Sequence, residues 1–256
     1  MKRDKQLKQI AAVFSAAIVS CSSMGVAGAN AIAVDADVWQ PSITNNSTIR
    51  SGKGSTIHLK NDLGFSEKKS LAGLTLKYGN EDHQSFFLSN TDVKYNGSKQ
   101  LSQNFTYGGG VFGQGNHVDS EVKVNVLHFG FRNEKVTESG KIATIYQYNH
   151  GNIKTRLTDT TAALNRTSDA ALNCLNIGWG WESVNARGVN YFAEVLPVTL
   201  GNGGNWQYEF GMKVPMGNQL GLKVGYRAER LQTAKTDDDK KRVELRGIFF
   251  SLGSSF

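Results

Sequence analysis

The side chains with chemistry to offer are five histidines, His58, His83, His117, His128 and His150, and a scatter of carboxylates. Hydrolysing an ester or peptide takes a nucleophile or activated water, a base and an orienting carboxylate brought together. No spacing around these histidines matches a recognised lipase, protease or acyltransferase pattern. His128 alternates with Leu127 and Phe129, which reads as an interior histidine rather than a catalytic base. Glu81-Asp82-His83 holds metal-binding atoms, but it fills a short turn where charged residues are expected anyway. Gly108-Gly109-Gly110 lacks the Gly-Lys-Ser/Thr of a phosphate loop and reads as a hairpin tip. No catalytic residue, metal ligand or cofactor is assigned: the chain is read as a non-enzyme without a nucleic-acid partner.

Another set of charges is more informative for its phase. Lys77, Glu182, Glu194, Glu209, Lys213, Lys223, Arg227 and Glu229 lie on the polar side of segments that alternate apolar and polar residues. In 205–216, Trp206, Tyr208, Phe210, Met212, Val214 and Met216 alternate with Asn205, Gln207, Glu209, Gly211, Lys213 and Pro215. The same device recurs at 71–79, 172–182 and 219–231. This is the period of a strand, whose successive side chains point to opposite faces.

Ten strands are predicted, near 35–43, 71–79, 83–95, 117–132, 141–149, 172–182, 190–198, 205–215, 219–231 and 243–256, with eight or twelve as alternative counts. The stretches 47–59 and 101–107 have room for further strand. Val122, Val124 and Val126 sit in one phase and Leu127, Phe129 and Phe131 in the other. Either a bulge lies between them or only part of that strand lies at membrane depth.

At the N-terminus, Lys2, Arg3, Lys5 and Lys8 run into an apolar stretch from Ile10 to Val19, followed by small residues at Ala27, Ala29 and Ala31. This is the layout of a secretory signal peptide, shorter than a spanning helix. Cleavage is expected near residue 29 or 31, so residues 1–31 are assigned as signal peptide and 32–256 as the mature domain. Cys21 in a weak lipobox is a minor alternative. Removing residues 1–31 takes away four basic side chains and one acidic one, so the net charge of +7 falls to +4. Cys174 is then the only cysteine, and no intramolecular disulfide is possible.

An exported all-β chain with an apolar face on strand after strand implies a closed sheet in lipid. In hydrocarbon every backbone N–H and C=O must be paired within the protein, and only a barrel leaves no edge. Connection lengths alternate as well. Asn80–Asp82, Asn133–Gly140, Ser183–Val189 and Met216–Asn218 are short, while 44–70, 96–116, 150–171 and 232–242 are longer and only 199–204 breaks the rule. Short periplasmic turns and long external loops are the habit of outer-membrane barrels. Trp39, Trp179, Trp181, Trp206, Tyr146, Tyr148, Tyr208 and Tyr226 are placed as interfacial girdles, and Asp237, Asp238 and Asp239 beside Lys235, Lys240, Lys241 and Arg242 as a solvated loop tip, with contact to divalent cations or lipopolysaccharide head groups as the alternative.

The last strand carries Ile248, Phe250, Leu252 and the terminal Phe256 in one phase. This resembles the C-terminal signal that the barrel-insertion machinery reads in bacterial outer-membrane proteins. Three further blocks, Val38-Trp39-Gln40-Pro41, Ile57 to Phe65 with its Asp62-Leu63-Gly64-Phe65, and Phe105 through Phe112 to Ser120, resemble a family of outer-membrane β-barrel proteins of uncertain biochemical role. His58 stands where that family usually has an acidic residue, so it inherits no role. The resemblance implies an antiparallel up-and-down transmembrane β-barrel in the bacterial cell outer membrane and no reaction.

The expected function is that of an integral barrel with a structural or surface-interaction role, its lumen largely plugged by the eight mixed charges. A narrow channel for small solutes or ions, and an outer-membrane lipid- or peptide-hydrolysing enzyme, are the alternatives. Expected partners are outer-membrane lipids including lipopolysaccharide, and the insertion machinery during assembly.

Overall fold

The computed structural model describes residues 31–80, 84–184, 188–216, 220–233 and 239–254. The signal-peptide reading for residues 1–30, the Glu81-Asp82-His83 turn and Phe256 fall outside them.

Ten antiparallel strands close into a ring: β1 (Ala31–Ile43), β4 (Leu71–Asn80), β5 (Gln84–Gln100), β8 (His117–Thr137), β9 (Gly140–Asp159), β10 (Leu164–Ser183), β11 (Asn190–Asn202), β12 (Gly204–Met216), β13 (Leu220–Gln232) and β14 (Asp239–Ser254). Each pairs with its sequence neighbour in this list, and β1 pairs with β14 to close the barrel, from Asp35↔Gly253 to Ile43↔Leu245. Above the ring, β2 (Thr48–Ser51) adds to the far end of β14 and carries β3 (Ile57–His58). The short helix α1 (Leu59–Leu63) follows, and β6 (Phe105–Tyr107) and β7 (Gly110–Phe112) form a separate hairpin.

The strands differ from expectation chiefly in length. β8 has 21 residues and β9 and β10 have 20 each, about twice what a tilted crossing of the hydrocarbon requires. The stretch 150–171, read above as a long loop, is therefore mostly strand, turning at residues 160–163 where Asp159 Oδ1 accepts the backbone N–H groups of Thr161 and Ala162, both at 2.9 Å.

The phase break at Val126–Leu127 is not a bulge. The β8–β9 ladder runs without interruption from Val118↔Asp159 to Thr137↔Gly140, so alternation is continuous and its meaning changes. Below the break Leu127 and Phe129 face outward, 45% and 49% exposed; above it Val122, Val124 and Val126 face inward and are fully buried. A register shift does occur in β10–β11, where Ile177 pairs Val198 but Trp179 pairs Val195. Pro197 sits there, in a place that tolerates a missing donor.

The outward apolar residues form one band around the ring. It includes Ile32, Leu74, Leu76, Tyr78, Phe86, Leu88, Tyr146, Tyr148, Trp179, Trp181, Phe210, Met212, Ile248 and Phe250. A contiguous apolar exterior on a closed sheet has the composition and geometry of a lipid-facing surface. Trp39 is the exception to the girdle expectation. It is 2% exposed and points inward, its indole Nε1 donating to the Gly247 carbonyl at 3.3 Å.

Beyond the band, the extended ends of β5, β8, β9 and β10 form a wall whose inner face is apolar, with Val93, Tyr95, Val118, Val122, Val124, Ile153, Leu157 and Leu172. Ile49 and Ile57 of β2 and β3, Leu59 and Leu63 of α1, Phe65, and Phe105, Tyr107 and Phe112 of the hairpin pack into the same core with Leu231, Val243 and Leu245. The 44–70 and 101–116 segments thus fold over the mouth as a cap. Side chains of the wall fix it in place: Thr155 Oγ1 of β9 meets the Tyr107 hydroxyl of the hairpin, and Ser120 Oγ of β8 donates to the Leu63 carbonyl of α1 at 3.5 Å.

Gly97 is needed where α1 lands, because a Cβ there would lie 2.4 Å from the Leu63 carbonyl oxygen. Gly97→Leu should therefore lift α1 and loosen the cap by about 1–3 kcal/mol while leaving the ring closed. The expected result is faster proteolysis within 44–70 with unchanged barrel migration on an unheated gel.

Candidate functional site: the barrel interior

Within the band, the side chains opposite the lipid face meet one another across a narrow lumen. Strand alternation turns Asp35, Asp37 and Trp39 inward from β1, and Lys223, Arg227 and Glu229 from β13. Closure through β1–β14 then brings these two groups together. Arg227 is the hub: its Nε donates to Glu209 Oε2 at 2.6 Å and its Nη1 reaches Asp37 Oδ2 at 3.3 Å. Its guanidinium carbon stands 4.8 Å over the Phe249 ring and 5.5 Å over Trp39.

Lys77 pairs with Asp35 at 2.7 Å, and Lys213 with Glu182 at 3.6 Å. Arg132 holds Glu194 at 2.6 Å and also contacts Glu134. Lys223 lies 5.5 Å over the Phe192 ring. Glu229 accepts the Asn205 amide at 3.2 Å, meets the Thr91 hydroxyl at 3.5 Å and lies 3.8 Å from His128 Nε2.

All eight charges singled out from the sequence project to this side, and the structure adds Asp35, Asp37, Arg132 and Glu134. Their signal was the same alternation: Asp35 and Asp37 alternate with Val34, Ala36 and Val38, and Arg132 and Glu134 take the phase opposite to the lipid-facing Phe129 and Phe131. What alternation does not give is the pairing. Asp37 and Arg227 are 190 residues apart and meet only because the ring closes.

Toward the cap the charges give way to amides. Asn149 and Asn176 are fully buried, and Asn149 Nδ2 donates to Asn176 Oδ1 at 3.0 Å. Gln147 Nε2 donates to Asn149 Oδ1 at 2.8 Å. His128 sits in this layer with Asn149 Oδ1 on Nδ1 at 2.7 Å and Thr91 Oγ1 on Nε2 at 3.1 Å. Both ring nitrogens are thereby satisfied, as a buried structural imidazole requires.

A second hydroxyl–imidazole–carboxylate group, Ser98, His117 and Asp119, lies exposed on the outer wall. There the carboxylate binds the serine itself at 2.6 Å, and His117 Nε2 faces both Ser98, at 2.7 Å, and Asp119, at 3.7 Å. A relay needs the carboxylate on the other ring nitrogen. His150 is exposed and bonded to Asn173 at 2.6 Å, and His58 is exposed at the start of α1.

Of the charged run, Lys235, Asp237 and Asp238 lie outside the described residues, and the part from Asp239 on is not a solvated tip. Asp239 accepts from Ser168 Oγ at 2.6 Å, and Lys241, 0% exposed in the cap, donates its ammonium to the Ile153 carbonyl at 2.8 Å. Burial pushes the Lys241 pKa down to about 8, against the pull of Asp239 and Asp169.

A closed antiparallel ring with lipid-phase side chains outside and paired charges inside defines the transmembrane β-barrel class. No protein-family model and no curated protein matches the chain. Among solved structures, Neisserial surface protein A is similar at 11% identity over 88% of this chain and 97% of its own, with a TM-score of 0.38. Ail, the attachment invasion locus protein of Yersinia pestis, shares 10% identity over 86% of this chain and 98% of its own, with a TM-score of 0.39. A Pseudomonas aeruginosa FadL homologue shares 10% over 89% and 90%, at 0.37. At these values the likeness bears on no ligand or role. The blocks that resembled a family lie in β1, in β3 through α1 to Phe65, and from the β6–β7 hairpin into the start of β8.

Two measurements check the interior. Removing one partner of a buried pair leaves the other charge stranded, which costs roughly 3–5 kcal/mol, whereas an apolar replacement of the whole group is nearly neutral. Arg227→Met should therefore lower the urea midpoint in detergent micelles, and the triple change with Asp37→Leu and Glu209→Leu should restore most of it. For Lys241, the folded pKa lies below the ordinary value of 10.5. The unfolded chain binds more protons between these values, so stability rises as pH climbs from about 8 to about 10.5, by on the order of 2–3 kcal/mol. Lys241→Met should flatten that rise in pH-dependent unfolding.

Proposed function

We propose that the chain is an integral protein of the bacterial outer membrane with a structural or surface-interacting role, its barrel closed to through-passage. The observation that carries this reading is the reversal of faces along one uninterrupted ladder: apolar side chains point out through the band and in above it. A sheet in one solvent has no reason to reverse; a sheet that leaves hydrocarbon for water must.

Closure rests on two layers. Mixed charges cross the lumen, and a selective pore would instead favour one sign. Above them the apolar cap occupies the mouth, and ions do not cross a dry hydrocarbon-like core.

Lipopolysaccharide is the proposed lipid partner. Lys94, Lys123 and Lys154 stand directly opposite one another on β5, β8 and β9, a few residues above the band on its outer surface. Glu121 already meets Lys94, Asp92 lies 3.8 Å from Lys123 and Asp169 stands opposite Lys154, so the row belongs to a mixed-charge belt, to which head-group phosphates would add as further partners of the lysines. Ile248 and Phe250, outward on β14, support reading the last strand as the insertion signal, with Leu252 and Phe256.

The mature protein should fractionate with outer membranes and migrate faster on unheated than on heated gels. Purified into planar bilayers, it should give no reproducible unitary steps, while deletion of residues 101–116 from the cap should produce them. Steps from the intact protein would favour the channel reading instead, and a freely soluble protein would end both.

A further inference from the structure

On the tall wall of β5, β8, β9 and β10 the outward cations stand beside carboxylates: Lys94 and Arg156 border Glu121, and Lys123 lies 3.8 Å from Asp92. The opposite side, built from β12, β13, β14 and β2, does not follow this rule. There Arg230 of β13 lies directly opposite Glu244 of β14, and Arg242 and Arg246 flank Glu244 two residues away on either side of it. Directly opposed Cβ atoms stand about 5 Å apart and diagonal ones about 7–8 Å, so three guanidinium groups ring one carboxylate. Arg50 of β2 adds a fourth. It pairs with Lys240 and takes the outward phase, since its neighbour Ile49 is buried in the cap core.

One carboxylate cannot serve all four. Glu244 is buried because the turn at 44–47 wraps it: its carbonyl accepts the Thr44 N–H at 3.0 Å, and its own N–H donates to Ser47 Oγ at 2.9 Å. One side-chain oxygen faces Arg246, and the other accepts the Asn46 amide at 3.4 Å. Arg230 is left with the ring of Trp206, 5.2 Å from its guanidinium carbon, and Arg242 with the neutral Gln232 side chain at 3.1 Å. Among the described residues, neither Arg50 Nε nor Arg246 Nε has an acceptor. The cluster therefore carries positive charge that the protein itself does not neutralise.

Height decides what the cluster meets. Ile248, exposed in the lipid-facing band, is the next outward residue below Arg246 on β14, and it pairs with Tyr226 of β13. Arg246 and Arg230 are thus the first charged side chains above hydrocarbon on this side, at the level of lipid head groups. A guanidinium offers a planar fork that fits two oxygens of one phosphate. A phosphomonoester carries a charge of about −1.5 to −2, more than the single charge of a phosphodiester, and so matches several forks at once.

We propose that this arginine cluster binds a phosphomonoester on the head group of lipopolysaccharide, whose acyl chains lie on the band beneath it. The site rests on the reading of lipopolysaccharide as the lipid partner and deepens it. The lysine row on β5, β8 and β9 is a charge-balanced belt, whereas here Trp206 and Glu244 hold two forks in place and leave the cluster short of anions.

The test uses full-length protein refolded in detergent micelles, with native mass spectrometry reading bound lipid. The probes are a short-chain lipopolysaccharide, the same lipid after phosphatase treatment, phosphatidylglycerol as a phosphodiester, and inorganic phosphate as competitor. Intact lipopolysaccharide should be retained at least tenfold more tightly than the other two lipids. Arg230→Gln with Arg242→Gln, which leaves Glu244 its partner, should weaken retention at least tenfold with heat-modifiable migration unchanged. Lys135→Gln, exposed beside the short turn at 137–140, is the control that leaves retention as it was. A dicarbonyl reagent that modifies arginine gives a second readout on the native protein, whether or not the double variant folds. Lipopolysaccharide should protect Arg230, Arg242 and Arg246 from it and leave unprotected Arg166, which lies against the cap hairpin. Unprotected arginines, or retention lost only on changing Lys94, Lys123 and Lys154 to Gln, overturn the site and leave the lipid partner standing. Equal retention of phosphatidylglycerol, or displacement by an equal concentration of inorganic phosphate, overturns the phosphomonoester lipid as occupant. No retention of lipopolysaccharide by the native protein overturns the site and the lipid partner together.

Discussion

A backbone crossing hydrocarbon has nowhere to place a free N–H or C=O, and the rest of this structure follows from that constraint. Closure of β1 on β14 satisfies it for the ring as a whole. Once closed, each strand has two faces with different surroundings, and side-chain alternation becomes a sorting of residues between lipid and lumen. The charged interior is the consequence. Residues excluded from the lipid face must accept a narrow, poorly hydrated space, so they pair with one another, and Arg227 between Asp37 and Glu209 joins the first strand to the last ones in doing so.

The same constraint loosens where the strands leave the membrane, and the chain exploits it. Above the band the outer face can be polar because it meets water, which frees the apolar phase to turn inward. The four long strands β5, β8, β9 and β10 then act as half of a water-soluble sandwich, with the 44–70 and 101–116 segments supplying the other layers. Lys241 shows how dry that interior is: its ammonium has a backbone carbonyl as hydrogen-bond partner and its proton is correspondingly easier to lose.

Strand positions and their inward charges were legible in the sequence because period-two patterning is local information: Tyr208, Phe210 and Met212 against Glu209, Gly211 and Lys213 need no knowledge of the fold. Strand ends were less legible. A strand that changes solvent halfway presents two opposed patterns, and Val122 to Val126 followed by Leu127 to Phe131 reads locally as a defect. Further strand was legible in 47–59 and 101–107, where β2, β3 and β6 lie, but their assembly into a cap was not, for a different reason. Its residues are contributed by short elements such as Ile57, Leu59 and Phe105, too brief for periodicity, and their burial depends on contacts far away in the chain. Trp39 was misplaced because an aromatic near a strand end suits a girdle or a lumen equally, and only its register opposite Phe249 decides.

Closing a ring and capping it leave β4 and β5 short of full pairing. β4 is the one strand flanked by a long cap segment on one end and a short turn on the other whose next neighbour, β5, rises much farther from the membrane. β4 runs on to Leu71 against β1, while β5 stays with its other neighbour, β8, with which it pairs along its whole length. The separation above Thr75↔Ser89 is therefore a geometric result of building a tall external wall on a short barrel. That it coincides with the point where water replaces hydrocarbon is what makes the unpaired edges tolerable. The cap and the parting of β4 from β5 thus share one setting, the tall wall of β5 and its partners.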